Sequence, residues 1–103
     1  MLLHIRSFRP QLGRNAEALT WAKEVASYFD KELGSARPTE VLTEQFGEFG
    51  RIYFLISWQD WAQYEKYQQR RRTDQGWMAL TARQVDRALT VAESFKDTLL
   101  ETT

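Results

Sequence analysis

The strongest hydrophobic pattern in the chain is Arg51-Ile52-Tyr53-Phe54-Leu55-Ile56-Ser57-Trp58, its longest β-branched and aromatic run. Ile52, Phe54, Ile56 and Trp58 alternate as one apolar face. Tyr53 and Leu55 keep the opposite face apolar too, so the run predicts a central strand that needs cover on both sides. Leu2 to Phe8 predicts a first strand, with Leu3 and Ile5 on one face and Leu2, His4, Arg6 and Phe8 on the other. After a break from Pro10 to Gly13, Asn15 is a candidate N-cap for a helix running Ala16 to Leu33 and stopped by Gly34. Leu19, Ala22, Ala26, Phe29 and Leu33 form its apolar stripe, which Trp21, Val25 and Tyr28 widen.

Thr39 to Phe46 alternates in period two as a second strand, and Gly47-Glu48-Phe49-Gly50 predicts a turn that joins it to the central strand as a hairpin. If Phe46 and Arg51 close that turn, Glu44 falls opposite Tyr53, Leu42 opposite Leu55 and Glu40 opposite Ser57. Gln59 to Arg72 predicts a second helix with Trp61, Tyr64 and Tyr67 inward, Trp77 to Leu89 a short third helix, and Thr90 to Glu101 a fourth strand of edge character. Arg70-Arg71-Arg72 reads as a solvated helix end rather than an anion site, because successive helical residues point in different directions.

This order is the split β-α-β pattern, so the expected fold class is α+β: ferredoxin-like β-α-β-β-α-β, a four-stranded antiparallel sheet with its helices on one face. Ile52, Phe54, Ile56 and Trp58 are assigned to the helix side. The other face is then expected to carry Leu2, Phe8, Leu42, Phe46, Tyr53 and Leu55 together with His4, Arg6 and Glu44. An apolar patch of that extent does not stay in water, and its simplest cover is a second copy packed sheet on sheet around a cavity, a dimeric α/β barrel.

Composition narrows the function. A chain of 103 residues is expected to be a single domain, 1–103, with one core. Fourteen basic against fourteen acidic residues argue against a nucleic-acid or membrane-surface partner, both of which need an excess of positive charge. Cysteine is absent, which removes disulfides, thiolate metal sites and cysteine nucleophiles and points to a cytoplasmic location. The apolar run at Met1 to Arg6 is too short for a signal peptide. Four Trp, four Tyr and six Phe call for more core or more interface than so small a chain usually has.

Candidate chemistry is sparse. There is no phosphate loop and no nucleophile elbow, and a single histidine rules out a multi-histidine metal site, so no cofactor is expected. His4 could act as a base, although a lone strand histidine reads first as a packed structural residue. The four polar residues expected to line the cavity and bind a ligand are His4, Arg6, Glu44 and Tyr53, with an Arg6–Glu44 ion pair closing either the site or the dimer.

Leu3-His4-Ile5-Arg6-Ser7-Phe8 followed by Pro10 and Gly13, Gly47-Glu48-Phe49-Gly50-Arg51 before the central strand, and Asp74-Gln75-Gly76-Trp77 after a Tyr- and Arg-rich helix together resemble the NIPSNAP-type members of the dimeric α/β-barrel superfamily. The resemblance covers most of the chain; Gln75 stands where a proline often follows the Asp. It implies a homodimeric barrel binding a small organic ligand, in a family whose members mostly lack an established enzymatic role. The superfamily also contains cofactor-free monooxygenases, of the antibiotic-biosynthesis type, and haem-degrading enzymes, so a cofactor-independent monooxygenase or isomerase is the alternative. The haem enzymes' pattern of a first-strand Asn and a later helical His is not met here: Arg6 or Ser7 stands at the Asn, and no His follows His4.

Overall fold

The computed structural model describes all 103 residues, Met1–Thr103. In chain order the elements are β1 (Leu2–Phe8), α1 (Asn15–Lys31), β2 (Glu40–Thr43), β3 (Ile52–Trp58), α2 (Trp61–Arg70), α3 (Gln75–Asp86), a 3-10 turn (Ala92–Ser94) and β4 (Lys96–Glu101). The four strands form one antiparallel sheet in the order β2-β3-β1-β4, the ferredoxin-like arrangement expected from the element order. No helix is long and apolar enough to cross a membrane.

The central strand behaves as its alternation dictates. Ile52, Phe54, Ile56 and Trp58 are all buried, whereas Tyr53, Leu55 and Ser57 are only half-buried on the face away from the helices. Helix α1 meets this buried face through Ala18, Trp21, Ala22, Val25, Ala26 and Phe29. The buried stripe is therefore centred on Trp21 and Val25, which the sequence assigned to its margin, while Leu19 is only partly buried. The α1 N-terminus also differs: Arg14 holds the cap position without a side-chain bond, and Asn15 is already helical. In α2, Tyr67 stacks on Trp58 with ring centroids 4.8 Å apart.

The face assignment of β1 is the main correction. His4 pairs with Ile56, Arg6 with Phe54 and Phe8 with Ile52, and residues directly opposite each other share a face. Leu2, His4, Arg6 and Phe8 therefore face the helices, and Leu3, Ile5 and Ser7 face away. The cause is size: Phe8 and Leu2 fill the core completely, at 0% and 1% exposure. Phe8 stacks against Phe95 and packs edge-on to Trp21. The two polar residues carried inward with them find partners there.

Two other boundaries move. Strand β2 stops at Thr43 because Glu44 and Arg51 close a longer loop, with the Glu44 N–H donating to the Arg51 carbonyl at 2.9 Å and the Gly50 N–H to the Glu44 carbonyl at 2.9 Å. Leu42 consequently faces Tyr53 and Glu40 faces Leu55, a shift of two residues that keeps every side chain on its expected face. Phe46 leaves the strand altogether and is 92% exposed in the loop. Strand β4 begins only at Lys96, since Thr90 makes a single bridge to Pro10 and the 3-10 turn intervenes. The Arg51 guanidinium, buried, ties these pieces together: it donates to Ser7 Oγ at 2.9 Å, to Glu48 at 3.1 Å and to the Ser94 carbonyl.

The sheet face away from the helices carries Leu3, Ile5, Tyr53 and Leu55, half-buried, flanked by Leu42 and Leu100, which are 47% and 49% exposed. It remains largely apolar, as expected, but with a different set of β1 residues.

Candidate functional site

A cavity of about 300 Å³ lies between the sheet and its helices. Phe54 and Arg6 form its floor, Trp21 and Val25 come from α1, Trp77, Leu80, Thr81 and Gln84 from α3, and Ala92 and Phe95 from the segment leading into β4. Helix α3 is the roof. Asp74 caps it by accepting from the Trp77 N–H at 2.9 Å, and the same carboxylate takes the Tyr28 hydroxyl of α1. The Tyr28 hydrogen bond, seconded by that backbone N–H, holds Asp74 below the usual carboxylate range. Trp21 Nε1 donates to the Leu80 carbonyl at 2.9 Å, which pins α3 to α1 beside the cavity.

Arg6 is the only charged residue in the cavity wall. Its guanidinium donates through one nitrogen to Asp97 Oδ2 at 2.7 Å and lies over the Phe95 ring, 4.9 Å from its centroid. Asp97, directly across from Arg6 on β4, also takes His4 Nε2 at 2.7 Å through its other oxygen. The tautomer follows from Trp58. An indole N–H can only donate, and Trp58 Nε1 meets His4 Nδ1 at 3.3 Å, so Nδ1 presents a lone pair and the proton sits on Nε2, aimed at Asp97. Both ring nitrogens are occupied, and His4 is buried at 1% exposure. Burial alone would raise the Asp97 carboxyl; the hydrogen bonds from His4 and Arg6 and the guanidinium charge outweigh it and hold Asp97 below its ordinary value.

Tyr67 stands behind this row. Its ring packs against His4 and meets Trp77 edge-on, with centroids 6.2 Å apart in each case. Its hydroxyl is buried and has no hydrogen-bond partner. Burial raises the hydroxyl's pKa, against the opposing pull of Arg6 and Arg71. The Arg71 guanidinium sits 5.8 Å from the ring centroid.

Of the four residues singled out from sequence, the structure brings together two pairs on opposite faces of the sheet. His4 and Arg6 meet at Asp97 on the helix side. Glu44 and Tyr53 meet on the far side, where the Tyr53 hydroxyl donates to Glu44 and the Glu48 N–H donates to the same carboxylate. The Tyr53 hydrogen bond, then the Glu48 N–H, lower the Glu44 pKa, and the Glu44 bond raises that of Tyr53. The expected Arg6–Glu44 ion pair does not form, because Arg6 points through to the helix side and takes Asp97 instead. Sequence reasoning missed Asp97, Tyr67 and the Trp58 contact. The signal for Asp97 was present: in a split β-α-β sheet the last strand lies beside the first, which sets an acid next to Arg6. No group of three or more His, Cys, Asp or Glu side chains is arranged to hold a metal.

A larger groove of about 480 Å³ lies between α1 and α2. Two of its polar side chains close the end of α1: Gln63 donates to the Gly34 carbonyl and Arg70 to the Glu32 carbonyl. The smaller cavity, with its aromatic lining and single arginine, is the better ligand site.

Fold and cavity together define a ferredoxin-like α+β domain with an aromatic pocket between sheet and helices. The NIPSNAP family model matches residues 3–101, and the chain belongs to the NIPSNAP family. Among solved structures it is similar to a NIPSNAP domain protein from Burkholderia xenovorans, 24% identical, with a TM-score of 0.73 over 100% of this chain and 95% of that one. A NIPSNAP family protein from Agrobacterium tumefaciens is 19% identical, with a TM-score of 0.77 over 99% of this chain and 92% of that one. SnoaB, a cofactor-independent oxygenase from Streptomyces nogalater, is 17% identical, with a TM-score of 0.71 over 99% and 92% of the two chains. These three share the fold. No curated protein matches the chain.

Proposed function

We propose that this NIPSNAP protein is a homodimer that binds a small organic molecule in the cavity of each protomer. The observation that carries the reading is the cavity itself: a space of about 300 Å³ walled by Trp21, Phe54, Trp77, Leu80 and Phe95, with Arg6 as its single charge. Arg6 contacts the ligand, and His4 acts through Asp97 to hold Arg6 in position. Glu44 and Tyr53 lie on the other face, so their part is in the dimer contact, where Leu3, Ile5, Leu42, Leu55 and Leu100 supply the apolar area. A protein without cysteine suits the reducing cytosol.

Thermal unfolding with a panel of naphthalene-sized compounds tests the ligand. A compound at about a hundred times its dissociation constant adds about 2.7 kcal/mol of stability. Thr81→Phe narrows the cavity from an exposed position and should abolish that gain; an equal gain in the variant would move the site elsewhere. Light scattering at micromolar concentration should return the dimer mass, and a soluble monomer would overturn the assembly.

A second reading, a cofactor-independent oxygenase, is favoured by the fold shared with SnoaB. It requires oxygen uptake when a polyphenol is supplied to the metal-free protein, and the absence of uptake with a compound known to bind would reject it.

A further inference from the structure

The polar end of the cavity selects a charge. Arg6 spends one terminal nitrogen on Asp97 and one face of its guanidinium on Phe95, and its other N–H groups remain free. A guanidinium bound on one edge can still take a carboxylate on another, in the paired geometry for which arginine is suited. No carboxylate lies in the cavity wall to oppose it. Asp97, the nearest acid, has one oxygen committed to His4 and the other to Arg6. The rest of the wall is flat rings: Trp21, Phe54, Trp77 and Phe95.

We propose that the ligand is an aromatic acid, its carboxylate held by Arg6 and its ring stacked among Trp21, Trp77 and Phe95. This rests on the cavity reading above and adds to it the ligand's charge.

The experiment compares naphthoate with naphthamide, which has nearly the same shape and no charge, by calorimetry and by the fluorescence of the cavity tryptophans on the unmodified protein. Naphthoate should bind about tenfold or more tightly than the amide, as expected for a charge-assisted pair set against a neutral one. Arg6→Gln should erase that preference while the amide still binds. Equal affinity for acid and amide in the unmodified protein overturns the proposal and leaves the cavity reading standing. Binding of neither compound overturns both. Because the acid–amide comparison needs no variant, it decides the proposal even if Arg6→Gln fails to fold.

Discussion

The two faces of the sheet hold similar chemistry under opposite conditions. On the helix side, Asp97 is shared by a buried histidine and an arginine, backed by the stacked rings of Trp58 and Tyr67. On the far side, Glu44 is shared by a tyrosine hydroxyl and a backbone N–H at the mouth of a loop, among leucines that are half in solvent. Both carboxyls titrate below their ordinary range, yet only the first is attached to a packed core. A polar contact of the first kind is difficult to remove because its partners cannot turn to water; one of the second kind can be replaced by solvent at little cost.

Four changes test that contrast, in falling order of effect. Phe54→Ala, on the helix side at 1% exposure, should cost about 3–5 kcal/mol in denaturant titration, enough to threaten folding. Leu55→Glu, one residue along but on the far face, should leave the protomer folded and shift light scattering to the monomer mass; a folded dimer would remove this face from the interface. Asp97→Ala leaves the buried His4 Nε2–H without an acceptor and should cost about 1–2 kcal/mol, discounted because Asp97 is itself partly exposed.

The same variant has a pH signature. A carboxyl whose folded pKa is depressed contributes stability above its unfolded value, about 3.9, and loses it as pH falls through the folded value. Asp97→Ala should therefore flatten part of the acid limb of the stability profile. In a double-mutant cycle Arg6 should couple to Asp97 and be additive with Glu44. The smallest change is Tyr53→Phe: stability at neutral pH should barely move, while the Glu44 titration, followed by NMR, rises toward the ordinary carboxylate range.

Sequence reasoning succeeded where alternation and chemistry agreed, and failed where they did not. In β3 the large apolar residues recur on every second position, so one face was unambiguous. In β1 both alternate sets are partly apolar, and the aliphatic pair Leu3 and Ile5 looked more like core than a set containing His4 and Arg6. What decides the matter is a residue far along the chain: Asp97 satisfies both polar groups and frees Phe8 and Leu2 to fill the interior. Period two reveals that faces exist, while their assignment depends on partners that only the sheet order brings near. The Glu44–Tyr53 contact emerged despite a register wrong by two residues, because such a slip preserves the face and leaves a diagonal neighbour within reach.

Helix α3 roofs the cavity without a single fully buried residue of its own. It is held by Trp21 on the Leu80 carbonyl, Tyr28 on Asp74 and an exposed Arg83–Glu24 pair. Elements so lightly anchored open before the rest of a fold does. Amide hydrogens of α3 should then exchange with deuterium well ahead of those in β1 and β3, and an occupant of the cavity should slow them selectively. The roof's breathing then widens a cavity that is already partly open, so the size of ligand it admits depends on how far α3 lifts.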